Sequence, residues 1–169
     1  MDKNQDLIIQ SYFTVAFVTE LKNNDFLNSE CYRNMKFEDT FLKDNLPQIG
    51  IDNRGALLIF LYAMLVVPKE LIEQELPSEF RNFNSLIEQI KSQAYSTYES
   101  DAENINYLRH IRNAVAHANV EFSENDVEFI DKNNSGSQCN IKIPLDRLGQ
   151  FLEKLQKIII SYLKQNYKN

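Results

Sequence analysis

Apolar residues recur at helical spacing over most of this chain, but between residues 120 and 143 the period switches to alternation before the helical spacing returns. That switch constrains the fold most, because a pattern written for a helix face cannot bury itself as a strand. Leu7, Ile8, Tyr12, Val15, Phe17, Val18 and Leu21 predict a helix over residues 6–22. Asn23-Asn24-Asp25 ends it, since these side chains compete for backbone hydrogen bonds. Residues 26–50 carry one or two short helices, closed by Pro47 and Gly50. Asp52 or Asn53 caps a helix over residues 56–67, which Pro68 breaks or kinks before a short helix resumes at 69–75.

Pro77-Ser78-Glu79 starts the next helix, with Phe80, Phe83, Leu86, Ile87 and Ile90 on its buried face. Ser100-Asp101 is expected to cap a helix over residues 102–118. Val120-Glu121-Phe122, Val127-Glu128-Phe129 and the 139–143 segment alternate as short strands, with a polar turn at 133–137. Pro144 opens a last amphipathic helix. The expected fold is mainly α: a helical bundle with a short β-ribbon before the C-terminal helix, one domain over residues 1–169.

Composition narrows the function. With 43 % apolar and 25 % charged residues the chain matches an ordinary globular protein. A net charge of −6 argues against a general polyanion binder, so any nucleic-acid site is local. Residues 142–169 hold six Lys or Arg against two Asp or Glu, which reads either as a solvated final helix or as a basic flank beside an anion-binding cleft. Cys31 and Cys139 make neither a disulfide framework nor a zinc site, and they read as packing residues in a reducing compartment. The most apolar run, residues 56–67, is short of the roughly 20 residues of a membrane span. The N-terminus lacks a basic region leading into an apolar one, so a cytoplasmic location and no membrane partner are expected.

The chemistry gathers on one helix. On a wheel of about 100° per residue, Leu108, Ile111, Ala114, Val115 and Ala118 form a core stripe. Arg109, His110, Arg112, Asn113, Ala116 and His117 fall on the other side, so both histidines of the chain share one face with two arginines and an amide. Such groups suit cleavage of an RNA phosphodiester. An imidazole moves protons near neutral pH, and a guanidinium offsets charge building on the phosphate. No metal or other cofactor is required, because the nucleophile is the substrate's own 2′-hydroxyl. Arg112 and His117 diverge by about 140° on an ideal helix, which a second copy packed on this face corrects.

Arg112-Asn113-Ala114-Val115-Ala116-His117 resembles the Arg-Asn-x-x-x-His motif of the HEPN superfamily of small helical ribonucleases and RNA-binding proteins. The segment from Gly55 to Leu71, an apolar helix broken by Val67-Pro68-Lys69-Glu70, also resembles a bacterial HEPN branch, so the likeness covers roughly residues 50–165. The resemblance implies a helical homodimer whose two motifs meet in an interfacial cleft. It implies a metal-independent endoribonuclease, often a toxin or phage-defence protein with an antitoxin or defence-system partner. On this basis Arg112 and His117 are the catalytic pair and Asn113 the supporting residue, with Arg109 and His110 contacting flanking RNA or the partner helix. Some HEPN toxins continue as His-x-Tyr, a tyrosine modified by a nucleotidyltransferase antitoxin; here Asn119 stands at that position. The alternative is a HEPN dimer that binds RNA or a protein without cutting.

Among other groups, Asp126, Glu128 and Asp131 alternate on a strand and read as water-facing rather than metal-binding. Tyr95, Tyr98 and Tyr107 read as packing residues first and base-stacking residues second.

Overall fold

The computed structural model describes residues 3–67 and 69–166, which cluster into two compact units, one up to Ala63 and one from Met64 onward. The first unit holds α1 (Lys3–Asn23), a 3₁₀ turn at Phe26–Asn28, α2 (Glu30–Asn34), α3 (Thr40–Ile49) and α4 (Arg54–Leu61). Asp25, in the left-handed region at φ 51°, turns the chain after α1. Ser29, Asp39 and Asn53 cap α2, α3 and α4 by accepting from the backbone N–H three residues on, at 3.0–3.1 Å. Asp52 is not the cap; its carboxylate meets Lys22 at 2.7 Å.

Pro47 does not close α3. It lies inside the helix, and Gly50, at φ 81°, makes the turn instead. Proline has no N–H to give the carbonyl of Lys43, four residues back. The Tyr32 hydroxyl donates to that carbonyl at 2.8 Å, which satisfies the acceptor that the helix leaves open. A π-helical turn, Tyr62–Val66, follows α4. The break expected at Pro68 lies outside the described residues.

The second unit carries α5 (Lys69–Glu75), α6 (Pro77–Ile90), β1 (Gln93–Ser96), a 3₁₀ turn at Glu99–Asp101 and α7 (Tyr107–Ala116). It continues with β2 (Val120–Phe122), β3 (Asp126–Lys132), β4 (Gln138–Pro144) and α8 (Leu145–Asn166). The strands form one antiparallel sheet in the order β1-β4-β3-β2. Its inward row pairs Val127 with Ile143, Phe129 with Ile141 and Asp131 with Cys139. Helix α7 packs on β3, and α8 packs on α6 and β4. Phe83 and Phe151 meet between α6 and α8 with ring centroids 4.8 Å apart. The fold is mainly α with a short sheet, as the periodicity predicts, and no single helix among the described residues is long and apolar enough to cross a membrane.

Three boundaries differ from expectation. Strand β1, absent from the sequence reading, joins the ribbon from ahead of α7. Pro144 ends β4 rather than opening α8. Helix α7 starts at Tyr107, not at 102, because Asn106 rather than Ser100 or Asp101 caps it, at 3.1 Å from the N–H of Arg109. Asn84 of α6 secures that start, accepting from the N–H of Leu108 and donating to the carbonyl of Ile105, each at 3.1 Å.

The helix also stops early, at Ala116. Ala118 turns to φ 55°, its N–H bonds the Val115 carbonyl at 3.1 Å, and the N–H of Asn119 bonds that of Ala114 at 2.8 Å. This is a Schellman C-cap with alanine where glycine is usual. Ala118 is therefore exposed rather than part of the core stripe.

Candidate active site at the end of helix α7

Arg109, Asn113 and His117 follow one another at intervals of four residues along one row of α7 and its C-cap. The row forms one wall of an open cleft of about 630 Å³. Tyr98, Asp131 and Lys132, with Asn119, Asn133 and Asn134, line the rest of it. His117 is exposed at the helix C-cap, so its imidazole is free of the core. Arg112 is not in this lining. It leans on its neighbour, donating from Nε at 3.2 Å and Nη2 at 2.7 Å to Oδ1 of Asn113. Asn113 in turn donates to Asp131 Oδ2 at 3.0 Å. The structure thus joins Arg112 and Asn113 directly and places Arg109, Asn113 and His117 in one cleft.

His110 corrects the helix-wheel expectation. It is fully buried, not on the polar face. On the ideal wheel it lies only about 40° from Ala114, and the buried arc of α7 is wide enough to take it in. Its Nδ1 lies 2.6 Å from Asp131 Oδ2 and its Nε2 lies 2.7 Å from Asp101 Oδ2. A carboxylate only accepts, so Nδ1 donates to Asp131; Nε2 faces both the Asp101 carboxylate and, at 3.0 Å, the Arg109 guanidinium, which only donates. His110 therefore cannot touch flanking RNA or a partner helix.

Asp101 is the second correction. Its carboxylate serves side chains rather than a helix cap, accepting from Ser96 at 2.5 Å, from His110 and from Arg109 Nη2 at 3.0 Å. Burial pushes its carboxyl up, but the Ser96 and His110 hydrogen bonds and the Arg109 charge outweigh this and hold it below the usual range. Tyr98 stacks obliquely on the His110 ring at 4.8 Å, with the Arg109 guanidinium 5.6 Å from its own centroid. Burial, then the charge of Asp131, raises the Tyr98 hydroxyl above the usual tyrosine value.

Asp131 is buried, not water-facing as its alternation with Asp126 and Glu128 suggests. It shares the parity of Val127 and Phe129 on β3, and that register is the signal that places it inward. Tyr107 packs in the core and Tyr95 is exposed away from the cleft lining, so Tyr98 is the tyrosine beside the motif. Lys132 adds a cation that the sequence reading did not single out.

Asp101, His110 and Cys139 bring one potential ligand atom each within 4.8 Å of one another. They do not fit a divalent metal. Both ring nitrogens already face carboxylates, the Arg109 guanidinium sits 3.0 Å from Nε2, and burial pushes the Cys139 thiol up to about 12. Three basic residues of the C-terminal segment are engaged elsewhere: Lys142 pairs with Glu128 at 3.3 Å, Lys154 with Glu79 at 2.6 Å and Lys157 with Glu153 at 2.5 Å. None of these three lines the cleft, which favours the solvated-face reading.

The family model described as HEPN pEK499 p136 matches residues 1–166. No curated protein and no solved structure matches the chain.

Proposed function

The chain belongs to the HEPN pEK499 p136 family, and on that footing we propose that it is a cytoplasmic, metal-independent endoribonuclease acting as a homodimer, in toxin–antitoxin or phage defence. The observation that carries the chemistry is the row Arg109–Asn113–His117 opening on one cleft beside Lys132. Cations and amide donors there suit a phosphate, and an exposed imidazole suits proton transfer. In the reaction the substrate's 2′-oxygen attacks the adjacent phosphorus. The bond from phosphorus to the 5′-oxygen breaks, leaving a 2′,3′-cyclic phosphate and a 5′-hydroxyl. One His117 takes the 2′-hydroxyl proton, and the His117 of a second copy gives a proton to the departing 5′-oxygen. Arg112, one step round the helix from the row, binds the non-bridging oxygens where two copies meet. The biological setting rests on the likeness of the Arg112-to-His117 hexapeptide to the HEPN motif.

The test is cleavage of end-labelled RNA in excess EDTA. The expected product carries a 2′,3′-cyclic phosphate, and light scattering gives a dimer. Activity lost to the chelator and restored by magnesium contradicts the mechanism, and a monomer at micromolar concentration contradicts the assembly. A second reading, a HEPN dimer that holds RNA or a protein without cutting, draws on the net charge of −6 and on the Asp131 carboxylate in the cleft wall. Retention of RNA with no cleavage selects it.

A further inference from the structure

We propose that His110 is a positioning residue: its buried ring fixes Asp131, and through Asp131 and Asn113 it fixes the guanidinium of Arg112. The proposal rests on the nuclease reading for its kinetic consequence, but its structural half stands without it. The links are continuous. His110 Nδ1 lies 2.6 Å from Asp131 Oδ2, Asn113 Nδ2 donates to that same oxygen at 3.0 Å, and Asn113 Oδ1 accepts twice from Arg112.

Each link restricts the next. Asn113 can place either its oxygen or its amide nitrogen toward Arg112, and only the oxygen accepts from a guanidinium. Asp131, which only accepts, selects the amide nitrogen for its own side and so turns the oxygen outward. Asp131 is itself nearly buried at 5 % exposure, so its carboxylate needs hydrogen-bond partners inside the protein. His110 Nδ1–H supplies one such partner, and Asp101, 2.7 Å from Nε2, holds the ring from the other side. The remaining groups around the ring are Arg109, the Tyr98 ring and the buried, neutral Cys139 thiol. Nothing in the motif hexapeptide encodes this support; it comes from β3 and from the 3₁₀ turn before α7.

Nitrogen-resolved NMR of the full chain, with histidine and arginine labelled, tests the chain of contacts, and cleavage kinetics test its use. In the wild type, His110 Nδ1 is expected to carry a proton hydrogen-bonded to Asp131, and the Arg112 Nε–H to exchange slowly. Asp131→Asn and Asn113→Ala are each expected to speed that exchange about 10-fold or more in a folded protein and to lower kcat with KM little changed. Asn113→Ala removes a half-buried side chain, so it keeps the test open if the Asp131 variant does not fold. A His110 ring without a proton on Nδ1, or Arg112 exchange unaltered in Asn113→Ala, overturns the proposal whether or not the protein cuts RNA. A wild type that shows the NMR signatures but never cleaves removes the nuclease reading and leaves the positioning network standing. Altered exchange with unaltered kcat in an active enzyme overturns the kinetic half.

Discussion

Ala118 holds a backbone conformation at φ 55° that an L side chain resists, at a cost of about 1 kcal/mol. It stands next to His117, so the strain lies where the chain must leave the helix and still present an imidazole to the cleft. Ala118→Gly is expected to raise stability by about 1 kcal/mol in a denaturant titration, with no loss of cleavage; no gain would mean that the alanine is unstrained. His110 gives the opposite case. It is fully buried between Asp101 and Asp131. His110→Ala takes a hydrogen-bond partner from each of two buried carboxylates and is expected to cost roughly 3–5 kcal/mol, read as a large fall in melting temperature. Arg112→Ala and His117→Ala leave the core intact and are expected to shift stability by only about 0.5 kcal/mol while removing function. At the two thiols, alkylation is expected at the exposed Cys31 in the native protein, and at Cys139 only once denaturant opens the fold.

Helices whose apolar face repeats over several turns, such as α6 and α8, were legible because tertiary packing only confirms the stripe already written in them. Strand β1 was not, since Gln93-Ala94-Tyr95-Ser96 buries no complete face and owes its conformation to pairing with β4. Helix α7 was legible in its middle and not at its ends. Its start depends on Asn84, distant in sequence, and its stop on a left-handed alanine that propensity disfavours. The same limit hid the support of the site. Arg112, Asn113 and His117 stand in one hexapeptide, whereas Asp101 and Asp131 reach His110 from separate elements. Within α3, the Tyr32 hydroxyl stands in for the donor that Pro47 lacks. Tyr32→Phe is accordingly expected to cost about 1–3 kcal/mol, by denaturant titration, because the Lys43 carbonyl loses its donor; an unchanged midpoint would show that water replaces the hydroxyl.

For the molecule as a whole, the buried charge cluster links stability to pH. The folded Asp101 carboxyl lies below its ordinary value of 3.8, so its contribution is fully present above the unfolded value and is lost as pH falls through the folded one. Asp101→Asn is therefore expected to flatten the acid limb of the stability–pH curve; an unaltered limb would assign acid unfolding to other carboxylates. The family assignment, the helical fold and the cleft at the end of α7 meet in a single claim, that His117 moves a proton in RNA cleavage. The most direct measurement is the cleavage rate of wild type and His117→Ala on one RNA, in chelator, with melting temperatures recorded for both. The account predicts a rate lower by roughly 100-fold or more at an unchanged melting temperature. Equal rates from the two folded proteins would contradict it.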